Sequence, residues 1–552
     1  MYLLRTLRNF SNLGSFKSKH RSSDSKRFPE FDSRSLITSN WRVIQIVDPD
    51  LSQHSVTVSA KNSHSFTVPK GTIKRLERTG GIRVVDFMAR AIEPLIDKAQ
   101  LDIDLDAFRL ACSKSADQRN YMESVNNAIS LNVEPPKLNL ELLSIAKELV
   151  VREVWPNKEF KLKSETNVAK LLSLTNLSAN FGLPHLDSKR KHIGDLIKVY
   201  SSFSDGYDLQ QVDGLCRFPS VVFFRITVKN TYELAFRCVF GVSGYQVACE
   251  MRFSVVLTAY FSLITGKCPV LVGMSQLFLS ERMLSLERYY RYSIDFSKFD
   301  GRLHPIILIM ALQILFMPFI NEDSRCKAYV EGLIRALVWC PFWYPLVGVV
   351  FRKRGLTSGS SFTNMAGSVS NLLILRYALT VLGKNEIVHS MLVHGDDNLI
   401  ACTKPLDLEA LGKVISGMGM EINVAKCSIA KPGETGIEFL GSKWVKGKPE
   451  RNPSKMALKV ITVKGSPVIL EEGKIAYFIG RFYSIFGFDH RLPHYWACCG
   501  LGILRNLARV FEIPEAMRWD RRAARFYTSL KGDGFWEGKW RDRPSTEPWK
   551  FR

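Results

Sequence analysis

Hydrophobic and polar positions change their period several times along the chain. Short β-prone runs, Val43–Val47 and Ser55–Ala60, punctuated by Pro69 and Gly71, predict strands between residues 41 and 75. From about 80 to 200 the pattern is mostly helical with charged faces, as in Val84–Ile103 and Leu138–Glu153. Tyr289–Phe296 is aromatic and β-prone and predicts a strand. A Gly/Ser loop over 355–364 runs into a helix over Met365–Leu382, with Val369, Leu372, Leu373 and Leu379 on its apolar side. Two apolar runs, Ile387–Val393 and Leu399–Cys402, enclose Gly395-Asp396-Asp397-Asn398 and predict a tight hairpin. The longest charge-free apolar stretches, Pro305–Ile320 and Ala336–Phe351, are shorter than the roughly 20 residues of a membrane span and contain proline, so they predict buried elements. The region after about 450 is helical, aromatic and basic, with Trp519, Trp536, Trp540 and Trp549 among many charges.

Composition narrows the possibilities. The chain has 552 residues, 46% of them hydrophobic, which excludes wholesale disorder and predicts two to four lobes. Lys plus Arg number 76 against 53 Asp plus Glu, a net charge of +23 that points to a polyanionic partner, nucleic acid or an anionic membrane. Eleven scattered cysteines without a C-x-x-C pair read as reduced thiols of an intracellular protein. The 10 histidines form no H-E-x-x-H pattern, which argues against a zinc enzyme. Residues 1–23 carry Arg5, Arg8, Lys17, Lys19 and Arg21 with no acid, fitting a mitochondrial presequence, a nucleic-acid-binding arm or a solvated tail.

Three clusters carry candidate chemistry. Asp295 falls near the C-terminal end of the strand predicted over Tyr289–Phe296, between apolar Ile294 and Phe296, and Asp300 follows after a turn. Alone, this pair is equally read as surface carboxylates. Asp396 and Asp397 sit at the predicted hairpin tip. Turn chemistry alone explains such residues, but two adjacent carboxylates repel, and a divalent cation would relieve the repulsion. Asn364, Ser368 and Asn371 lie at i, i+4 and i+7 of the predicted helix and share one polar face, either a solvent-facing stripe or a row that needs partners. Taken together they suit phosphoryl transfer, which uses two metals about 3.5–4 Å apart held by carboxylates on neighbouring strands.

The order D-x4-D (Asp295, Asp300), S-G-x3-T-x4-S-x2-N (Ser358, Gly359, Thr363, Ser368, Asn371) and G-D-D (Gly395–Asp397) resembles motifs A, B and C of viral RNA-dependent RNA polymerases. Glu421-Ile422-Asn423 with Lys426 resembles motif D, and Phe439-Leu440-Gly441 with Trp444 resembles motif E. Phe236-Arg237-Cys238-Val239-Phe240-Gly241 with Glu250 resembles motif F. The 355–364 loop is similar to the partitivirus and picobirnavirus form, whereas Val242-Ser243 and His394 depart from it.

The resemblance implies an α+β right-hand polymerase of fingers, palm and thumb, with a ferredoxin-like antiparallel palm sheet. It implies a leader over 1–40, an N-terminal region and fingers over 41–285, palm over 286–304, an insertion over 305–354, palm over 355–445, and thumb and tail over 446–552. Asp295, Asp396 and Asp397 would hold two Mg²⁺ or Mn²⁺ ions. Lys426 would protonate the leaving pyrophosphate. Arg237 would hold the triphosphate, and Asp300, Ser358, Gly359, Thr363 and Asn371 would contact the nucleotide and select ribose. Partners would be RNA template and product, NTPs and a viral capsid protein, with no transmembrane segment, in host cytoplasm or virion. A reverse transcriptase would show a Y-x-D-D motif and a bulky block to the 2′-hydroxyl, neither apparent here. A non-catalytic RNA-binding structural protein would have no need of three acids at one site.

Overall fold

The computed structural model describes residues 101–464 apart from short gaps, and before them three strands and a few isolated residues. The predicted strand Val43–Val47, the leader and the four C-terminal tryptophans lie outside the described residues. The first two strands, β1 (Ser55–Ser59) and β2 (Ser65–Pro69), form an antiparallel pair where the β-prone run predicts one. The helix expected over Val84–Ile103 fails at both ends. Ile82–Val84 is a strand, β3, and 101–104 has no regular structure. The next helix starts at Leu105 because the Asp104 side chain accepts hydrogen bonds from the backbone amides of Asp106 and Ala107.

The elements that build the centre follow in chain order. Helix α1 (Leu140–Val154) is capped by Asn139, and α2 (Ile193–Ser201) follows a long loop. Strands β4 (Ser220–Val228) and β5 (Leu234–Gly241) form a hairpin, and α3 (Gly244–Leu263) leads away from it. After β6 (Tyr290–Ser293) come the single turn α4 (Phe299–Arg302), α5 (Pro305–Phe316) and α6 (Ser324–Trp339). Strands β7 (Phe342–Tyr344) and β8 (Gly348–Val350) precede α7 (Thr363–Val381). Then come β9 (Val388–His394), β10 (Asp397–Cys402), α8 (Leu408–Gly417), β11 (Ser428–Ala430) and β12 (Ile437–Phe439), β13 (Ser442–Val445), β14 (Lys448–Glu450) and β15 (Thr462–Lys464).

The expected antiparallel palm sheet is present, with strand order β11-β6-β10-β9. A second four-stranded sheet, β5-β4-β7-β8, is drawn from strands on both sides of β6 in the chain, and β15 pairs with β3. The charge-free stretches are buried, as their composition predicts: α5 lies in the core, and so do Ala336–Val338 and Phe342–Tyr344. No helix of the described residues is long and apolar enough to cross a membrane. All nine described cysteines are free thiols.

Helix α7 is the hub. Met365 to Leu379 is buried throughout, which a helix apolar on nearly all sides requires. It packs against α1, α5, α8 and β9. Ser368 and Asn371 are therefore inside the protein, while Asn364 at the start of the helix stays exposed, so only the first position of the polar row faces solvent. Leu373 has no exposed surface. Leu373→Ala should lower stability by about 2–5 kcal/mol, as cavities in rigid cores do, read as a fall in the urea midpoint of the full chain.

Candidate active site

The site starts at the end of β6. Regular pairing stops at Ser293, and Asp295 stands two residues further on, half-buried between buried Ile294 and Phe296. The segment is fixed on its outer side by backbone bonds. Asn423 N donates to Asp295 O at 2.7 Å, Ser297 N donates to Glu421 O at 2.8 Å, and Phe296 bridges Ile422. Lys298 then takes a left-handed conformation (φ 54°), turning the chain into α4 and placing Asp300 in its first turn. The Asp300 carbonyl accepts from Leu356 N at 2.7 Å, joining this turn to the Gly/Ser loop.

The acidic hairpin is tighter than its sequence suggests. His394 pairs with Asp397, so the turn is Gly395-Asp396 alone, and Asp397 already belongs to β10. Gly395 has φ 65°, the conformation that a two-residue hairpin turn needs at its first central position. The polar face of α7 grips this turn. Ser368 Oγ donates to Asn364 O at 2.6 Å and accepts from Gly395 N at 2.8 Å. Asn371 Nδ2 donates to Gly395 O at 3.1 Å and to Asp396 O at 2.9 Å. Asn364 Nδ2 donates to His394 Nε2 at 2.9 Å. Asn371 is thus occupied on its donor side, while its buried Oδ1 has no partner.

The Gly/Ser loop is docked between β5 and α3. Ser358 Oγ accepts from Phe240 N at 2.9 Å. A Cβ on Gly359 would lie 2.2 Å from Phe240 O, so only glycine fits. Thr363 Oγ1 bonds the carbonyls of Thr357 and Ser360, at 2.6 and 2.8 Å. Ser358, Gly359 and Thr363 therefore shape the loop through protein contacts of their own. Glu250, which the resemblance to motif F includes, and Arg352, to which the sequence pattern assigns no role, hold it in place. Glu250, fully buried on α3, accepts from Ser360 Oγ, Ser361 N, Ser361 Oγ and Gln246 Nε2. Burial pushes its carboxyl up, and these donors oppose the shift. Buried Arg352 donates to Leu337 O, Thr357 Oγ1 and Gly355 O. Besides its place in the motif F resemblance, Glu250 shows in sequence as a lone acid in the apolar run of α3.

The three acids share one electrostatic field. Burial raises the Asp295 carboxyl, with Asp396 adding to the rise and Lys426 and Arg237 opposing it. Burial, then Asp396 and Asp295, push Asp397 up to about 6. Burial, then Asp396, push Asp300 up to about 6, against Arg237. Asp300 and Asp397 both keep exposed surface, so open water tempers the burial contribution. Arg237 is exposed on β5 and Lys426 is exposed beyond α8. The structure thus brings Asp295, Asp300, Asp396, Asp397, Arg237 and Lys426 together as charges that act on one another.

A different group brings three ligand atoms within 4.8 Å of one another: His185, His192 and Asp195. It is a hydrogen-bonded stack. The two rings lie 3.7 Å apart at 11°, so their in-plane lone pairs do not converge on one point. Each ring also faces a carboxylate, His192 Nε2 at 2.5 Å from Asp187 and His185 Nε2 at 3.2 Å from Asp195.

Residues 237–460 match the family model for viral RNA-dependent RNA polymerase. The chain is similar to the crystal structure of the RNA-dependent RNA polymerase of a human picobirnavirus, with TM-score 0.54 and 13% identity over 76% of each chain. The insertion-loop deletion mutant of such a polymerase gives TM-score 0.57 and 14% identity, covering 82% of this chain and 97% of that one. The fold is that of right-hand polymerases. Among curated proteins, the genome polyprotein of Ljunganvirus 1 is 26% identical over 191 residues, which is 34% of this chain and 8% of the polyprotein. The RNA1 polyprotein of Broad bean wilt virus 1 is 25% identical over 155 residues, again 8% of that polyprotein. The chain thus spans under a tenth of the length of these curated relatives.

Removing the Ser368 hydroxyl leaves Gly395 N buried without a partner. Ser368→Ala should therefore cost about 1–3 kcal/mol in denaturant unfolding. A pH dependence also follows. A carboxyl raised in the fold binds more protons than in the unfolded chain between about 4 and 6, so stability falls as pH rises through that window and stays lower above it. A divalent cation relieves that penalty only where the acids are ionised. Mn²⁺ should raise the melting temperature more at pH 7.5 than at pH 5, measured by calorimetry with and without the ion.

Proposed function

We propose that this chain, whose residues 237–460 belong to the viral RNA-dependent RNA polymerase family, copies an RNA template by nucleotidyl transfer from NTPs to an RNA 3′-hydroxyl. The observation that carries this reading is the pairing of two acidic elements. Asp295 ends a strand, Asp396 tips the adjacent hairpin, and α7 locks the tip from behind. Carboxylates placed so that Asp396 raises both Asp295 and Asp397 fit hard divalent cations, Mg²⁺ or Mn²⁺. Asp295 and Asp396 would hold them, with Asp397 assisting. A pair of such ions, when bound, activates the attacking hydroxyl and neutralises charge on the departing pyrophosphate.

The chain's own residues supply the rest. Arg237 binds the triphosphate as an exposed, charge-assisted donor close enough to lower the Asp295 carboxyl. The 3′-oxygen forms its bond to the α-phosphorus as the α–β bridging bond breaks, and Lys426 gives a proton to the leaving pyrophosphate. Asp300, exposed and within electrostatic reach of Asp396 and Arg237, accepts from the ribose hydroxyls. The unpartnered Oδ1 of Asn371 supplies a second acceptor, because its amide hydrogens are committed to the turn. The backbone-directed hydroxyls of Ser358 and Thr363 act indirectly, by shaping the loop above this pocket.

Labelled ribonucleotide incorporation on a single-stranded RNA template tests the reading. Asp396→Asn should reduce incorporation at least about a hundredfold, roughly 2.7 kcal/mol on the barrier, with RNA affinity retained. Full activity in that variant would remove Asp396 from the chemistry. Asp300→Ala should narrow the preference for ribonucleotides over deoxyribonucleotides. It is the cleaner test of sugar choice, because Asn371→Ala would also release the turn.

A further inference from the structure

The two acid-bearing strands do not pair by backbone where the acids stand. Strand β10 follows β6 in the register Cys402↔Tyr290, Ala401↔Arg291, Ile400↔Tyr292. Continuing that register by two residues sets Asn398 opposite Ile294, the residue before Asp295. No backbone bond joins β6 and β10 there. The Asn398 side chain replaces it. Ile294 N donates to Asn398 Oδ1 at 3.2 Å, and Asn398 Nδ2 donates to Ile294 O at 3.0 Å. The carboxamide thus presents the same acceptor and donor that a peptide group would offer, but from the end of a side chain. Its Nδ2 also reaches Asp396 O at 3.4 Å. Asn398 has no exposed surface, so water cannot substitute for any of these bonds.

We propose that Asn398 is a positioning residue that sets the separation of Asp295 and Asp396. By inserting a side-chain amide where the ladder would otherwise close, it holds the strands apart by the reach of one carboxamide. It does so while tying both acid-bearing backbones to one rigid group. The inference rests on the proposed metal-dependent polymerase reading, since the separation matters only if both acids address the same ions. Val393 continues to pair with Asn398 on the other side, so the hairpin itself does not depend on the amide. The side chain serves only the gap between the acids.

The test is Mn²⁺ binding to the full-length protein, followed by electron paramagnetic resonance, alongside the Mg²⁺ concentration for half-maximal incorporation. Partners that orient metal-binding groups without touching the ion commonly contribute 10–100-fold in affinity. Asn398→Ala should weaken the Asp396-dependent Mn²⁺ site and raise the Mg²⁺ requirement by about tenfold or more, while RNA affinity stays at the wild-type value. Asn398→Gln keeps the amide on a longer arm and should also weaken the site without lowering the melting temperature as far as alanine does. Either variant folded and RNA-binding, with unchanged Mn²⁺ affinity and Mg²⁺ requirement, overturns the proposal, whatever its melting temperature. If Asn398→Ala does not fold, the glutamine variant decides alone. A wild-type protein with an Asp396-dependent Mn²⁺ site but no incorporation would count against the polymerase reading, and the change in Mn²⁺ affinity would still decide the role of Asn398. A wild-type protein without that Mn²⁺ site would overturn both.

Discussion

Like charges held close together govern this structure. Asp396 raises the proton affinity of Asp295, and Asp396 and Asp295 together raise that of Asp397, while the cations that oppose the rise at Asp295, Lys426 and Arg237, are exposed side chains on separate elements. Carboxylates so placed push their strands apart unless the backbone is fixed from elsewhere. The fold fixes it from three sides. The outer edge of the Asp295 segment is stitched to Glu421–Asn423, its inner edge is bridged by Asn398, and the hairpin tip is gripped by Ser368 and Asn371. Every one of these bonds ends on main chain, so the carboxylates themselves stay free for ligands.

That requirement explains why the most buried helix of the site carries polar residues at all. Burying an amide or hydroxyl is unfavourable unless it is hydrogen-bonded. On α7 Ser368 and the donor side of Asn371 meet that condition through the turn they hold. Removing the turn would leave these groups unsatisfied, so helix and hairpin stabilise one another. Asn371 Oδ1 lacks a partner, as does the buried Ser370 hydroxyl on the same helix, and of the two it is the one beside the acidic turn.

The same logic extends outward to the second sheet. Phe240 N on β5 and the Glu250 carboxylate on α3 hold opposite sides of the 357–361 loop, and the absence of a side chain at Gly359 lets β5 approach it. Arg237 stands three residues before Phe240 on the same strand. A shift of β5 would therefore move the cation that faces the acids and the loop beside them together. This couples the second sheet to the site through the bonds of the 357–361 loop to β5 and α3.

Much of this was legible in the residues alone. The strand before Asp295, the hairpin around Gly395-Asp396 and the helix after the Gly/Ser loop follow from β-branched and aromatic runs, turn residues and 3.6-residue periodicity, which are local properties. The order and spacing of the acidic and Ser/Thr/Asn positions pointed to the chemistry for the same reason. The extent of the turn was not legible, because whether Asp397 is tip or strand depends on its pairing with His394 across the hairpin. Nor was the loss of both ends of the helix expected over Val84–Ile103, where a strand forms at Ile82–Val84 by pairing with residues 462–464 far along the chain. The roles of Asn371, Glu250 and Asn398 belong to tertiary structure alone. A carboxamide or a carboxylate has the same pattern in sequence whether it meets substrate, solvent or a distant backbone. Only the packing that buries it decides which partner is within reach.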